Sequence, residues 1–295
     1  MTERPLGAQI SHMLKARGID VIFGIPGVHN IEMYRGIEEA GITHILARHE
    51  QGAGFMADGY ARASGKPGLA YVITGPGLTN VLTAVGQAYS DSVPLLVISS
   101  CLDETAARRG QLHQMIDQEG AAACVFDWSH EVKSAEAVYT LIERAFNEFS
   151  GARPRPKHIQ VPIALGGSPA AAAPLPPQDR PARPVARPEE VARAAALLRA
   201  SSHPVVILGG GAVGAADQIA ALLEGTQAAV FTTYSGRGLV AEDYALDLGA
   251  YLGRPDSAGF LARADLLLVL GTELAEVDLW RTELGHSAPV IRVDI

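Results

Sequence analysis

The chain has 295 residues, 48% hydrophobic and 19% charged, with a formal net charge of −8 and a pI near 5.6. That length suggests about two ordinary domains with sizeable cores, and the acidic balance excludes sequence-independent nucleic-acid binding, which needs a basic face. Cys101 and Cys124 lie in no CxxC pair, the N-terminus shows no signal-like apolar stretch, and no apolar run reaches the roughly 20 residues of a membrane helix, so a cytoplasmic protein with reduced thiols and no zinc or redox motif is expected.

In chain order, Leu6, Ile10, Met13 and Leu14 share one helical face, with Gly18 as a stop. Val21 to Phe23 reads as a strand ended by GIPG. Ile31 to Ala40 reads as a helix with Asn30 as its N-cap. Thr43 to Leu46 is a strand, and Gln51 to Ala63 is a helix rich in small residues. Leu69 to Ile73 is a strand, Leu78 to Tyr89 a helix and Leu95 to Ile98 a strand. A helix over Ala135 to Phe149 and a strand over His158 to Val161 close this part. Such alternation predicts a parallel sheet wrapped by helices.

Gly166 to Pro188 carries seven of the chain's 18 prolines. Proline fixes φ and removes a donor, so this stretch is expected to be an extended surface linker. It separates a first domain over 1–165 from a second over 189–295. The second repeats the pattern. Its helices are expected at Glu189 to Arg199 and Asp217 to Leu223, and its strands at Val205 to Leu208, Ala229 to Thr232, Leu266 to Leu270 and Val290 to Val293. The whole reads as an α/β fold of two doubly wound domains with mainly parallel sheets.

Ligands of open α/β sheets bind beyond the carboxyl ends of the strands. Three segments of the first part fall there: GIPG from Gly24, RHEQ from Arg48, and GPGLTN from Gly75. Glu50 opens the helix after its strand, where a carboxylate gains a few tenths to about 1 kcal/mol from the helix dipole. Taken singly, each segment also reads as an ordinary strand-to-helix connection.

In order, however, GIPGVHN (Gly24 to Asn30), RHEQGAGFMADGYARASGKPG (Arg48 to Gly68), TGPGLTN (Thr74 to Asn80) and AYSDSVPLLVISS (Ala88 to Ser100) resemble the pyrimidine-binding domain of thiamine-diphosphate enzymes acting on 2-oxo acids. The resemblance runs from about Leu6 to about Val161. It continues more weakly into the second part, which looks like the family's central domain. It implies that thiamine diphosphate is the cofactor and that Glu50 bonds N1′ of its aminopyrimidine, promoting loss of the C2 proton. It places Pro26 and Gly27 against the pyrimidine through backbone, and Thr74, Pro76 and Asn80 near the cofactor. His113 and Gln114 fall where acetolactate synthases carry Phe-Gln and pyruvate-type decarboxylases carry His-His, which marks both as catalytic candidates.

Substrate class is divided at this point. The main reading is acetolactate synthase-like decarboxylation with carboligation. The alternative is a decarboxylase of guanidino-2-oxo acids, which the resemblance supports through Val28, His29 and the His113 loop, with Asp117 as a pocket carboxylate for the cation. GGGAVGA (Gly209 to Ala215) and TTYSGRGLV (Thr232 to Val240) match segments where acetolactate synthases place FAD, although other members keep the domain without a ligand. No GDG motif occurs, so the Mg2+ and diphosphate site is expected on a domain outside these residues, and no metal ligand is assigned within them. A fragment, or the subunit of a split complex, inactive alone and acting as a homodimer or homotetramer when complete, is the corresponding expectation.

Overall fold

A computed structural model describes residues 3–103 and 109–295. The chain divides into two units, Met1–Arg183 and Pro184–Ile295.

The first unit opens with a short strand, β1 (Arg4–Pro5), and a helix, α1 (Leu6–Ala16), whose Leu6, Ile10, Met13 and Leu14 are buried. Then β2 (Val21–Gly24), α2 (Ile31–Glu39), β3 (Thr43–Leu46), α3 (Glu50–Ser64), β4 (Gly68–Val72), α4 (Pro76–Ser90) and β5 (Leu95–Cys101) follow in alternation. The remaining elements are α5 (Gln118–Ala123), β6 (Trp128–Glu131), α6 (Ala135–Gly151), β7 (Lys157–Pro162), α7 (Ile163–Gly167) and β8 (Pro169–Ala170). Local chemistry sets the helix limits. Ser134 caps α6 by accepting from Ala137 N–H, Pro76 starts α4, and Gly65 ends α3 in the left-handed conformation.

Six parallel strands form one sheet in the order β3-β2-β4-β5-β7-β6. Every residue of β5 and β7 is buried, as expected for parallel strands covered on both faces. Alternation in the central strands feeds two cores. Leu69, Tyr71, Leu96 and Ile98 join the core that includes Ile10, Leu14 and Phe146, while Ala70, Val72, Leu95 and Val97 join the core that includes Ala57, Val81 and Val85. The sheet is therefore packed on both sides, as a doubly wound domain requires.

Several elements go beyond the sequence reading, among them the short β1, α7 and β8 and, in the second unit, the helices over Pro255–Leu261 and Glu276–Leu279. The strand β6 and the helix α5 were not expected, since WSHE and QEGAAA carry too little apolar periodicity to announce them. Asn30 does not cap α2 through its side chain. It folds back instead, accepting from Gly27 N–H at 2.7 Å and donating to the Ile25 carbonyl at 3.2 Å. The proline-rich stretch starts on the first unit: β8 pairs antiparallel with β1, and the Ala171 carbonyl accepts from the Tyr139 hydroxyl at 2.7 Å.

The second unit contains α8 (Pro188–Ala200), β9 (Pro204–Leu208), a 3-10 turn over Gly210–Ala215, α9 (Ala216–Thr226), β10 (Ala229–Thr232), α10 (Pro255–Leu261), β11 (Leu266–Leu270), α11 (Glu276–Leu279) and β12 (Val290–Val293). Its four strands are parallel in the order β10-β9-β11-β12. Val206 and Leu208 face one core, Val205 and Ile207 the other. Among the described residues no helix is long and apolar enough to cross a membrane.

Candidate functional site

In the first sheet β2 and β4 are neighbours, but the chain leaves β2 to build β3 on one side and returns on the other. Such a reversal opens a crevice beyond the carboxyl ends of the two strands. The connections that leave those ends are Ile25–Asn30 after β2 and Ile73–Gly75 after β4, and Glu50 follows the end of β3.

Glu50 is the first residue of α3 and is only 8% exposed. His49 caps this helix, its Nδ1 accepting from Gln51 N–H at 3.2 Å. Asn80, one turn into α4, donates to Glu50 Oε2 at 2.9 Å. The backbone of Gly77 lies beside the other oxygen: a Cβ there would sit 3.4 Å from Oε1. Among the described residues Oε1 accepts no hydrogen bond, so half of a nearly buried carboxylate is held and half is available.

The remaining expected residues are distributed unevenly about this carboxylate. Thr74 turns inward, its hydroxyl donating to Ser100 Oγ at 2.9 Å. Pro76 is exposed at the first position of α4. Pro26 and Gly27 stand on the loop that Asn30 braces, and Val28 is 68% exposed on it. His29 and His113 meet edge to face with centroids 5.5 Å apart, and each has a buried Nδ1 without a partner among the described residues. Burial, and then the His113 ring, hold His29 below the usual imidazole range, while Asp103 pulls the other way. Gln114 Oε1 accepts from Gln111 N–H at 3.2 Å. Asp117 serves the fold, since its Oδ1 accepts from Gly120 N–H at 2.8 Å and caps α5. It also borders a small cavity shared with Thr74, Glu119, Glu131 and Gln160.

Gly75 joins the GPG turn to the His113 loop. Its φ of 64° and ψ of −108° suit glycine alone, and a Cβ there would overlap the His113 carbonyl oxygen. Gly75→Ala is therefore expected to destabilise the first unit by about 3 kcal/mol, combining backbone strain with a forced shift of the loop. Denaturant unfolding checks this, and a loss below about 1 kcal/mol would contradict it.

Beneath the turn lies a buried polar network that sequence reasoning did not find. Gln118 Oε1 accepts from Gly75 N–H at 2.8 Å, and Gln118 Nε2 donates to the Ser100 carbonyl and Gln160 Oε1, both at 2.9 Å. His158, fully buried, exchanges hydrogen bonds with Ser99 Oγ at 2.8 Å and Ser129 Oγ at 2.7 Å. The available signal was compositional: His158 and Gln160 interrupt a strand buried on both faces.

In the second unit the glycine-rich turn is filled by the chain itself. Gly211 N–H donates to the Gly271 carbonyl at 2.9 Å, and a Cβ on Gly209 or Gly271 would overlap the facing backbone. A cavity in this unit is walled by the segment from Thr232 to Val240, by Asp247 to Pro255 and by Trp280, and none of residues 209–215 lines it.

The family model described as thiamine pyrophosphate enzyme, N-terminal TPP binding domain, matches residues 4–121, and that described as thiamine pyrophosphate enzyme, central domain, matches residues 191–295. A Pseudomonas aeruginosa protein named probable 2-ketoarginine decarboxylase AruI is 47% identical over 294 residues, covering 98% of this chain and 52% of that protein. The acetolactate synthase isozyme 1 large subunit of Escherichia coli is 32% identical over 305 residues, covering 99% of this chain and 53% of its own. An acetolactate synthase of Arthrospira platensis is 33% identical over 299 residues, with 96% and 52% covered. The chain spans about half the length of the curated relatives it matches.

Proposed function

The chain belongs to the thiamine pyrophosphate enzymes, whose N-terminal TPP-binding and central domains it carries, and from that premise we propose that the complete protein decarboxylates a 2-oxo acid with a guanidinium tail, of the 2-ketoarginine type. The observation that carries this reading is the 47% identity to the protein named probable 2-ketoarginine decarboxylase AruI across 98% of the chain, against 32% and 33% to the acetolactate synthases. This favours the guanidino-2-oxo acid alternative over the acetolactate synthase-like main expectation.

The residues at the switch point fit thiamine diphosphate. Glu50 keeps Oε1 available in a nearly buried position, and Asn80 fixes Oε2 so that the carboxylate cannot rotate away. Glu50 would hold N1′ of the aminopyrimidine and share a proton there, with Pro26 and Gly27 bounding the ring on the braced loop. When bound, the cofactor supplies the electron sink that decarboxylation requires. His29 and His113 bring two buried ring nitrogens to the same mouth, where they would orient the oxo acid or pass it a proton. The small cavity bordered by Asp117, Glu119 and Glu131 would present carboxylates to a cationic tail, in competition with His130 at Glu119 and Lys133 at Glu131. Mg2+ and the diphosphate are assigned to residues outside these 295, and a homodimer or homotetramer completes the reading.

The central domain does not fit FAD at its glycine turn. The Gly211 donor that would meet a diphosphate is already taken by Gly271, and the nearby cavity does not reach that turn. No step is assigned to a flavin.

The test is substrate competition with the complete enzyme supplied with thiamine diphosphate and Mg2+. Carbon dioxide release from 2-ketoarginine is expected with a kcat/KM at least about a hundredfold above that for pyruvate, because a polar pocket left unpaired discriminates strongly. Preference for pyruvate with acetolactate as product would overturn the proposal.

A further inference from the structure

We propose that Gln118 is a positioning residue for Glu50, acting through the GPG turn that launches α4. Gln118 is 6% exposed and opens α5. Its amide works in both directions. The oxygen accepts from Gly75 N–H at 2.8 Å, and the nitrogen donates to the Ser100 carbonyl and Gln160 Oε1 at 2.9 Å each, with Ser99 Oγ at 3.3 Å. Ser99 and Ser100 lie in β5 and Gln160 in β7, so Gln118 fastens the turn to the centre of the sheet.

The turn then transmits that position. Thr74 N–H and its hydroxyl both donate to Ser100 Oγ, at 3.0 and 2.9 Å, so two adjacent residues are clamped. Gly75 accepts from Thr79 N–H at 3.0 Å, which begins the helical ladder of α4. One residue after Pro76, Gly77 abuts Glu50 Oε1, and one turn on, Asn80 holds Glu50 Oε2. A helix moves as a unit, so a shift at Gly75 is carried to Asn80 and hence to the carboxylate. Loss of the Gln118 acceptor would leave the buried Gly75 N–H without its side-chain partner. Gln118 itself touches neither Glu50 nor the cofactor position.

This inference rests on the reading of Glu50 given above, and the experiment separates the two. In the complete protein without cofactor, amide hydrogen exchange reports Gly75 directly. Gln118→Met, which keeps the shape and removes the hydrogen bonds, is expected to speed Gly75 exchange at least about tenfold. Gln118→Glu, which keeps the acceptor but sets a second oxygen against the Ser100 carbonyl and Gln160 Oε1, is expected to retain only part of that protection. In the complete enzyme, exchange of the C2 proton of bound thiamine diphosphate for deuterium is expected to slow about tenfold to a hundredfold in Gln118→Met, with substrate KM within about twofold. In Gln118→Glu it is expected to fall only as far as Gly75 protection falls. Wild-type C2 exchange in Gln118→Met overturns the positioning role if Glu50→Gln abolishes that exchange. Wild-type exchange in Glu50→Gln overturns the functional reading instead. Should Gln118→Met fail to fold, a loss in Gln118→Glu as large as that in Glu50→Gln, with Gly75 still protected, overturns the proposal.

Discussion

Glu50→Gln is expected to slow loss of the C2 proton of bound thiamine diphosphate by about 10²–10⁴-fold in the complete enzyme, the range that one positioned acid or base contributes. Glutamine has nearly the same shape, and its amide oxygen can still accept from Asn80, as Glu50 Oε2 does at 2.9 Å. What disappears is the ability of the other carboxylate position to take and return a proton. Stability should barely respond. Removing a negative charge from the start of α3 forfeits only about 0.3–1 kcal/mol of helix-dipole interaction. Proton exchange by NMR, paired with an unfolding curve, separates the two effects. An unfolding change above about 2 kcal/mol would show that Glu50 serves the fold more than the chemistry.

The second large effect concerns acid stability and His158. Burial, and then the nearby His130, pull its imidazole down to about 3 from the usual 6.5. The folded chain therefore holds it neutral while the unfolded chain protonates it. As pH falls below about 6.5 the unfolded state binds a proton that the folded state refuses, and stability is lost until the pH nears 3. At 1.36 kcal/mol per unit, with half that slope at each midpoint, this amounts to about 2 kcal/mol between pH 6.5 and 4.5, and about 4 kcal/mol by pH 3. Asp20, held near 2 by Lys66 and Lys15, titrates below that first window. His29 has the same sign of shift and adds to the loss. Denaturant unfolding at the two pH values gives the sum, and the imidazole resonance of His158 gives its own share. A His158 midpoint above pH 5 would remove most of the expected effect.

Most of the fold was legible because parallel strands buried on both faces write long apolar runs, and amphipathic helices write a clear period. Leu95 to Cys101 and Leu266 to Leu270 are of this kind. The misses have physical causes. The strand β6 is a polar edge segment, WSHE, that forms by pairing with β7. Asn30 looked like a helix cap because asparagine often is one, but a tertiary loop claimed its side chain.

At the site, the ordered motifs pointed to Glu50, and Asn80 turned out to bond it. The inward turn of Thr74 depends on Ser100, a neighbour distant in sequence, and the capping role of Asp117 on a helix that the sequence does not announce. Gln118 was missed for both reasons. A single glutamine in QEGAAA carries no sign that Gly75, 43 positions earlier, will need its oxygen.

Strand order also decides when this site can come into being. Its walls come from residues 24–30, 50 and 74–80, but the clamps that set them come from Ser100, Gln118 and Gln160. A growing chain that has emerged as far as β4 has Glu50 but nothing to fix the turn beside it. Parallel pairing is non-local and pays its loop-closure entropy before any contact rewards it. The Gln118 clamp is complete only when β7 pairs with β5 and brings Gln160 to it, which makes protection of the Gly75 N–H a reporter of whether the first unit has finished folding.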